Sequence, residues 1–218
     1  MEYTEAEYTA WLQAAFPEEI RGILLGVIDG YKVVAPGVCK KVFSMPDRHD
    51  PLGMVRRGKI NEQIRGVAEL HSLLVKDEPN VNGSAYFLSV VSGRYRLVAN
   101  LVCRKEDMVR PAKIRKLWAR HNRDGHQGKL GFASEEDHPV PEDTIFLAIL
   151  LHGPRGKHRD QPGFVDIVVP DLRFRKYMCR LRLFSIFPQI AEGLWRRQDV
   201  TRKNPTKRKR ERVLPRQA

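Results

Sequence analysis

Apolar positions recur at helical spacing at the start of the chain. Tyr8, Trp11, Leu12 and Ala15 form one stripe within Thr4–Phe16, with Thr4 as N-cap and Glu5 and Glu7 at the positive end of the helix dipole. Pro17 suits the first turn of a second helix, which runs through EEIRGILLGVI and stops near Asp29-Gly30. Residues 1–29 therefore predict a helical hairpin in which Trp11 packs rather than stacks on a ligand. Val33-Val34 and Val38–Val42 predict short strands broken by Pro36-Gly37, and Ser44–Arg57 has loop composition. Ile60, Ile64, Val67, Leu70 or His71, and Leu74 predict a helix over Gly58–Lys76, followed by a turn-rich connector, Asp77–Gly83.

The pattern then switches to a period of two. A hairpin turning at Ser92-Gly93 places Val91 against Arg94 and Val90 against Tyr95, so that Tyr86, Leu88, Val90, Tyr95, Leu97 and Ala99 share one face. The other face carries Ser89, Arg96, Phe87, Val98 and Val102 and is expected to be partly covered. A basic helix follows, opened by Pro111 and closed by Asp124-Gly125. Ile114, Leu117, Trp118 and His121 make its apolar stripe; Lys113, Lys116, Arg120 and Arg123 make a cationic one, with Arg115 beside it.

Asn122–Asp143 is long, polar and glycine-rich, the composition of a connecting loop. TIFLAILL, at Thr144–Leu151, is an almost continuous apolar run, as in a strand buried on both faces. It leads into a charged loop, LHGPRGKHRDQPG, and then into a further strand, Phe164–Val169. Leu172–Phe187 alternates Leu and Phe with Arg at its two ends and reads as a strand bent near Lys176–Met178. Pro188–Arg197 predicts a last short helix.

These elements define an α/β (α+β) fold. It has a mixed sheet of about five strands that includes an antiparallel hairpin, flanked by helices, with the helical hairpin at its N-terminus. A single domain is expected over residues 1–195. TRKNPTKRKRERVLPRQA is nearly devoid of apolar residues, so 196–218 is expected to form a disordered basic tail.

Charge sharpens this division. The 218 residues carry 39 Lys/Arg and 26 Asp/Glu, a net +13. Residues 196–218 hold 10 Lys/Arg and 2 Asp/Glu, or +8, which leaves +5 for the preceding 195. Polyanions are the natural partners of such a chain, and DNA or RNA leads the expectation. The tail residues Arg202, Lys203, Lys207, Arg208, Lys209 and Arg210 would meet phosphates, together with Lys113, Lys116, Arg120 and Arg123 of the basic helix and Arg173 and Arg175 of the arginine-rich strand. Arg196-Arg197 and Lys207–Arg210 together resemble a bipartite nuclear-import signal. The resemblance implies a nuclear site in a eukaryotic host or for a virus of one, and the cytoplasm is expected in a bacterium.

Three scattered cysteines, Cys39, Cys103 and Cys179, disfavour a disulfide framework or a cysteine-rich zinc site and fit an intracellular, reducing compartment. The acidic start MEYTEAEYTAW is unlike a signal peptide, and no apolar run approaches the ~18 residues of a membrane span. No resident metal is expected. Asp47, His49 and Asp50 are residues of metal-ligand type but read as turn chemistry beside proline and glycine, and His121 with His126 and His138 matches no strong zinc spacing.

An enzyme remains the alternative. His152, Asp166 and Asp171 fall near predicted strand ends, where sites gather in α/β sheets, and would serve acid–base chemistry or bind Mg2+ in a metal-dependent nuclease. The element order from Gly58 to Leu151 loosely allows a restriction-endonuclease-like topology, but Leu97–Lys105 lacks the acidic triplet D/E-x-K. A structural or adaptor subunit of a nucleoprotein assembly, docking protein partners, is the third reading.

Overall fold

The structure is a computed structural model and describes residues 4–33, 49–79, 86–102, 104–110, 112–119, 122, 145–156 and 158–194. Two helices, α1 (Glu5–Ala15) and α2 (Glu19–Val33), open the chain, and a third, α3, spans His49–Leu70. Three strands follow, β1 (Leu74–Pro79), β2 (Tyr86–Ser92) and β3 (Tyr95–Leu101), then the short helix α4 (Lys113–Trp118). Strands β4 (Phe146–Arg155), β5 (His158–Pro170) and β6 (Tyr177–Arg182) complete the sheet, before α5 (Leu183–Ile186) and a helical segment at 188–194. The chain divides into two compact units, 1–183 and 184–218. The predicted strands at Val33-Val34 and Val38–Val42 are not formed at Val33, which ends α2; the rest of that stretch lies outside the described residues.

The six strands among the described residues join one mixed sheet in chain order, against about five expected. Every neighbouring pair is antiparallel except β3 and β4, which are parallel. A parallel pair needs a crossover, and α4 lies in the connection that makes it. Register then fixes the faces. Tyr95, Leu97, Phe146, Ala148, Leu150, Val165, Ile167, Val169, Cys179 and Leu181 share one buried face. Helices α1 and α2 cover it. Tyr8 meets the Phe146 ring edge-on at 6.0 Å, Tyr95 donates to the Tyr8 carbonyl at 3.3 Å, and Thr9 Oγ1 meets Cys179 Sγ at 3.2 Å. The other face buries Val98, Leu147, Ile149, Leu151 and Val168 under Val109, Ala119, Trp118 and Phe174. Strand β4 is thus covered on both sides, which is why its sequence is an unbroken apolar run.

The N-terminal cap is as expected. Glu7 N–H donates to Thr4 Oγ1 at 3.2 Å and Thr4 N–H to Glu7 Oε2 at 2.6 Å, a reciprocal capping box. These bonds hold the Glu7 carboxyl below its ordinary range.

Two boundaries differ from expectation. Helix α3 begins at His49, inside the stretch whose Asp-Pro and glycine content reads as loop, because Pro51 falls in the first turn, where a missing N–H costs nothing. It ends at Leu70 rather than Lys76. Ser72 has φ of +56°, its N–H donates to the Glu69 carbonyl at 3.1 Å, and Leu73 N–H reaches the Ala68 carbonyl at 2.8 Å. This is a Schellman stop with serine in the position glycine usually takes, so the sequence carries no stop signal there. Leu74, read as the last turn of a helix, instead starts β1.

The β2–β3 turn is Gly93-Arg94, not Ser92-Gly93, so Ser92 opposes Tyr95 and Val90 opposes Leu97. Gly93 supplies the positive φ, +50°, that a tight hairpin turn requires. The shift moves each partner by two residues, one full period, and the predicted faces survive intact. The charged loop expected after His152 is mostly strand. Its prolines oppose each other, Pro154 against Pro162, at a bulged stretch where neither needs to donate a ladder hydrogen bond.

Helix α2 carries glycine at every fourth position, Gly22, Gly26 and Gly30. A Cβ on these would lie 3.0 Å from Val67 Cγ1, 3.0 Å from Gln63 Cβ and 2.5 Å from Ile60 Cγ1. The seam lets α2 and α3 approach closely. Gly30→Val is expected to cost about 1–3 kcal/mol by overpacking, read as a lower urea midpoint with unchanged slope. A midpoint equal to wild type would show that the helices do not need this contact distance.

Candidate anion-binding cavity

A cavity of about 180 Å3 opens where the parallel strands β3 and β4 end. Crevices beyond the carboxyl ends of parallel strands are the usual sites of α/β sheets. Helix α3 contributes Arg57, Ile60 and Asn61; β2 contributes Phe87; β3 contributes Ala99, Asn100 and Leu101; α4 contributes Arg115; β4 contributes His152. None of these lining residues is a carboxylate.

Two guanidinium groups converge on Phe87. Arg57 lies 5.2 Å and Arg115 5.7 Å from the ring centroid, distances at which an aromatic ring attracts a cation. Trp118 meets the same ring edge-on at 6.4 Å. Each guanidinium is also tied to backbone, Arg57 donating to the Tyr86 carbonyl at 3.0 Å and Arg115 to the Arg110 carbonyl at 2.8 Å. Burial, and then the Arg57 charge beside it, push the Arg115 pKa down. The arrangement is a pair of positioned like charges, which an incoming anion would relieve.

His152 is buried beneath this site. Its Nδ1 lies 3.2 Å from the Tyr31 hydroxyl, and Arg56 sits 4.5 Å above the Tyr31 ring. Burial, reinforced by Arg56, pushes the imidazole pKa down to about 3. The ring is therefore neutral at physiological pH and acts as a hydrogen-bonding group, poorly suited to shuttle protons near pH 7.

The three residues read as an acid–base set do not come together. Asp166 pairs directly with Leu151 across β4 and β5, so it projects from the face opposite to His152. There it binds Arg180, with Arg180 Nε donating to Oδ2 at 2.8 Å; burial raises its pKa and Arg180 opposes the rise. Asp171 shapes a turn, its Oδ1 accepting from the Arg175 N–H at 2.7 Å and the Lys176 N–H at 3.3 Å. His152 itself lies within β4 rather than in a loop beyond it. Among the described residues, no three His, Cys, Asp or Glu side chains gather as a metal site would require.

The expected phosphate contacts are also dispersed. Lys113 and Lys116 are exposed on α4, close in sequence to Arg115. Leu117, assigned to the apolar stripe of that helix, is 54% exposed. Arg173 and Arg175 are exposed in the turn between β5 and β6, not in a strand. That turn follows Pro170, at the end of the sheet where β4 begins, whereas the cavity lies where β4 runs out. Arg120, Arg123, Arg202, Lys203, Lys207, Arg208, Lys209 and Arg210 lie outside the described residues, as do Asp47, His121, His126 and His138 and the side chains of His49 and Asp50.

Arg57 and Phe87 were not legible as site residues. Arg57 fell in a predicted loop. The signal was present, since Arg56 extends the Ile60–Ile64 stripe backwards by one turn and places Arg57 at its edge. Among the described residues, no helix is long and apolar enough to cross a membrane. Compared with known protein families, with curated proteins and with solved structures, the chain matches none.

Proposed function

We propose that the protein binds nucleic acid, DNA or RNA, through its phosphates. The observation that carries this reading is the convergence of Arg57 and Arg115 on Phe87, at a cavity lined, among the described residues, by no carboxylate. Guanidinium forks match phosphate geometry, and a positively charged concavity concentrates anions. Lys113 and Lys116 extend the positive surface along α4, and the +8 carried by residues 196–218 adds sequence-independent attraction.

Fluorescence anisotropy with a labelled oligonucleotide across a salt series tests the reading. The full chain should bind with an affinity that falls steeply as salt rises. Arg57→Ala with Arg115→Ala should flatten the plot of log affinity against log salt by about 1–2, and deletion of 196–218 should flatten it further. Failure of the full chain to bind any oligonucleotide at low salt would overturn the proposal.

A further inference from the structure

The cavity has a shape that the general reading does not use. Duplex grooves are entered by convex elements such as a helix or a β-ribbon. A concave site instead receives a group that protrudes from its own strand. At about 180 Å3 the cavity has room for one compact polar group and part of what carries it.

We infer that the cavity receives the terminal phosphate of a single strand, held between Arg57 and Arg115, so that the protein recognises a phosphorylated end in preference to continuous backbone. This rests on the nucleic-acid reading above. Two positioned guanidiniums favour a monoester over a diester, because a terminal phosphate carries about −1.5 to −2 at pH 7 while each internal phosphate carries a single charge. Phe87 holds both guanidiniums before the ligand arrives, so less side-chain freedom is lost on binding. Behind the charged mouth the described lining side chains are uncharged, with the Arg56 guanidinium beyond them over Tyr31. Ile60 gives an apolar wall, and Asn61 and His152 offer hydrogen bonds to the attached sugar or base. With Nδ1 engaged by Tyr31, Nε2 is the nitrogen of His152 left for a ligand.

The test uses the full chain and oligonucleotides of one sequence, bearing a 5′-phosphate, a 3′-phosphate or hydroxyls at both ends, together with the blunt duplex. One phosphorylated single strand should bind about tenfold more tightly than the hydroxyl-ended strand, a difference of 1.4 kcal/mol, and the two phosphate positions distinguish which end is read. Arg57→Ala and Arg115→Ala should each abolish that preference, and Arg57→Lys should reduce it, because an ammonium keeps the charge and loses the fork. Lys59→Ala, on the same helix but outside the cavity, should leave it unchanged. Arg57 is exposed, so its variants are expected to fold, which a melting curve verifies. Equal affinity for all ends, or a preference that Lys59→Ala removes as fully as Arg57→Ala does, overturns the inference while leaving nucleic-acid binding in place. Absence of binding to every oligonucleotide overturns both.

Discussion

Replacing Asn122 with leucine should lower the unfolding free energy by about 3–5 kcal/mol. Asn122 is fully buried and its amide stands in for a missing piece of β-ladder. Leu147 on β4 and Pro170 on β5 meet at the end of that pair, and proline has no N–H to donate. The Asn122 amide nitrogen donates to the Leu147 carbonyl and to the Pro170 carbonyl, both at 2.9 Å, and its Oδ1 accepts from the Leu147 N–H at 2.9 Å. Leucine has similar bulk and satisfies none of the three. Each orphaned buried backbone group costs about 1–3 kcal/mol, less whatever water recovers. Asn122→Asp keeps the acceptor and loses both donations, and it should be at least as damaging at neutral pH because it also buries a charge. Urea denaturation of the three proteins measures this directly. A loss below about 1 kcal/mol for the leucine variant would mean that water satisfies these groups unaided.

Acid should weaken the fold well above the range in which carboxylates titrate, and His152 should be the reason. Its pKa is about 3 when folded and about 6.5 in an unfolded chain. Between those values the unfolded state binds a proton that the folded state excludes, so stability rises with pH across this window and is lost as pH falls through it. The slope approaches about 1.4 kcal/mol per pH unit below the unfolded pKa, so this group alone accounts for about 2 kcal/mol between pH 7 and 5. His152→Gln retains a polar partner for the Tyr31 hydroxyl and has nothing to titrate. Its melting temperature should fall less between pH 7 and 5 than that of the wild type. Parallel pH profiles for the two proteins would place the acid sensitivity elsewhere.

The local pattern determined much of this architecture. The Thr4–Glu7 capping box follows from two residues three positions apart, because its bonds close within one turn. The unbroken apolar run of β4 announced a strand covered on both faces. The faces of β2 and β3 followed from alternation, and they withstood an error of two residues in the turn because the error equals the period of a strand.

Tertiary structure decided the remainder, for reasons that local pattern does not carry. Helix α3 passes into β1 through a left-handed Ser72, a conformation that serine rarely marks. Asn122 looked like the first residue of a polar loop; only the meeting of Leu147 with Pro170 makes it structural. The same holds for the candidate sites. His152 and Asp166 both sit near strand ends in the sequence, yet the β4–β5 register pairs Asp166 with Leu151 and sends the two side chains to opposite faces. Arg57 and Arg115 are separated along the chain by the whole β1–β3 meander, and it is the connection that crosses over to a parallel β4 that carries Arg115 to the Phe87 ring that Arg57 also faces. Sequence determined the elements and most of their faces, since those depend on neighbours a few residues away. Which faces meet, and hence which charges share a cavity, depends on strand register and crossover, and these exist only once distant segments have paired.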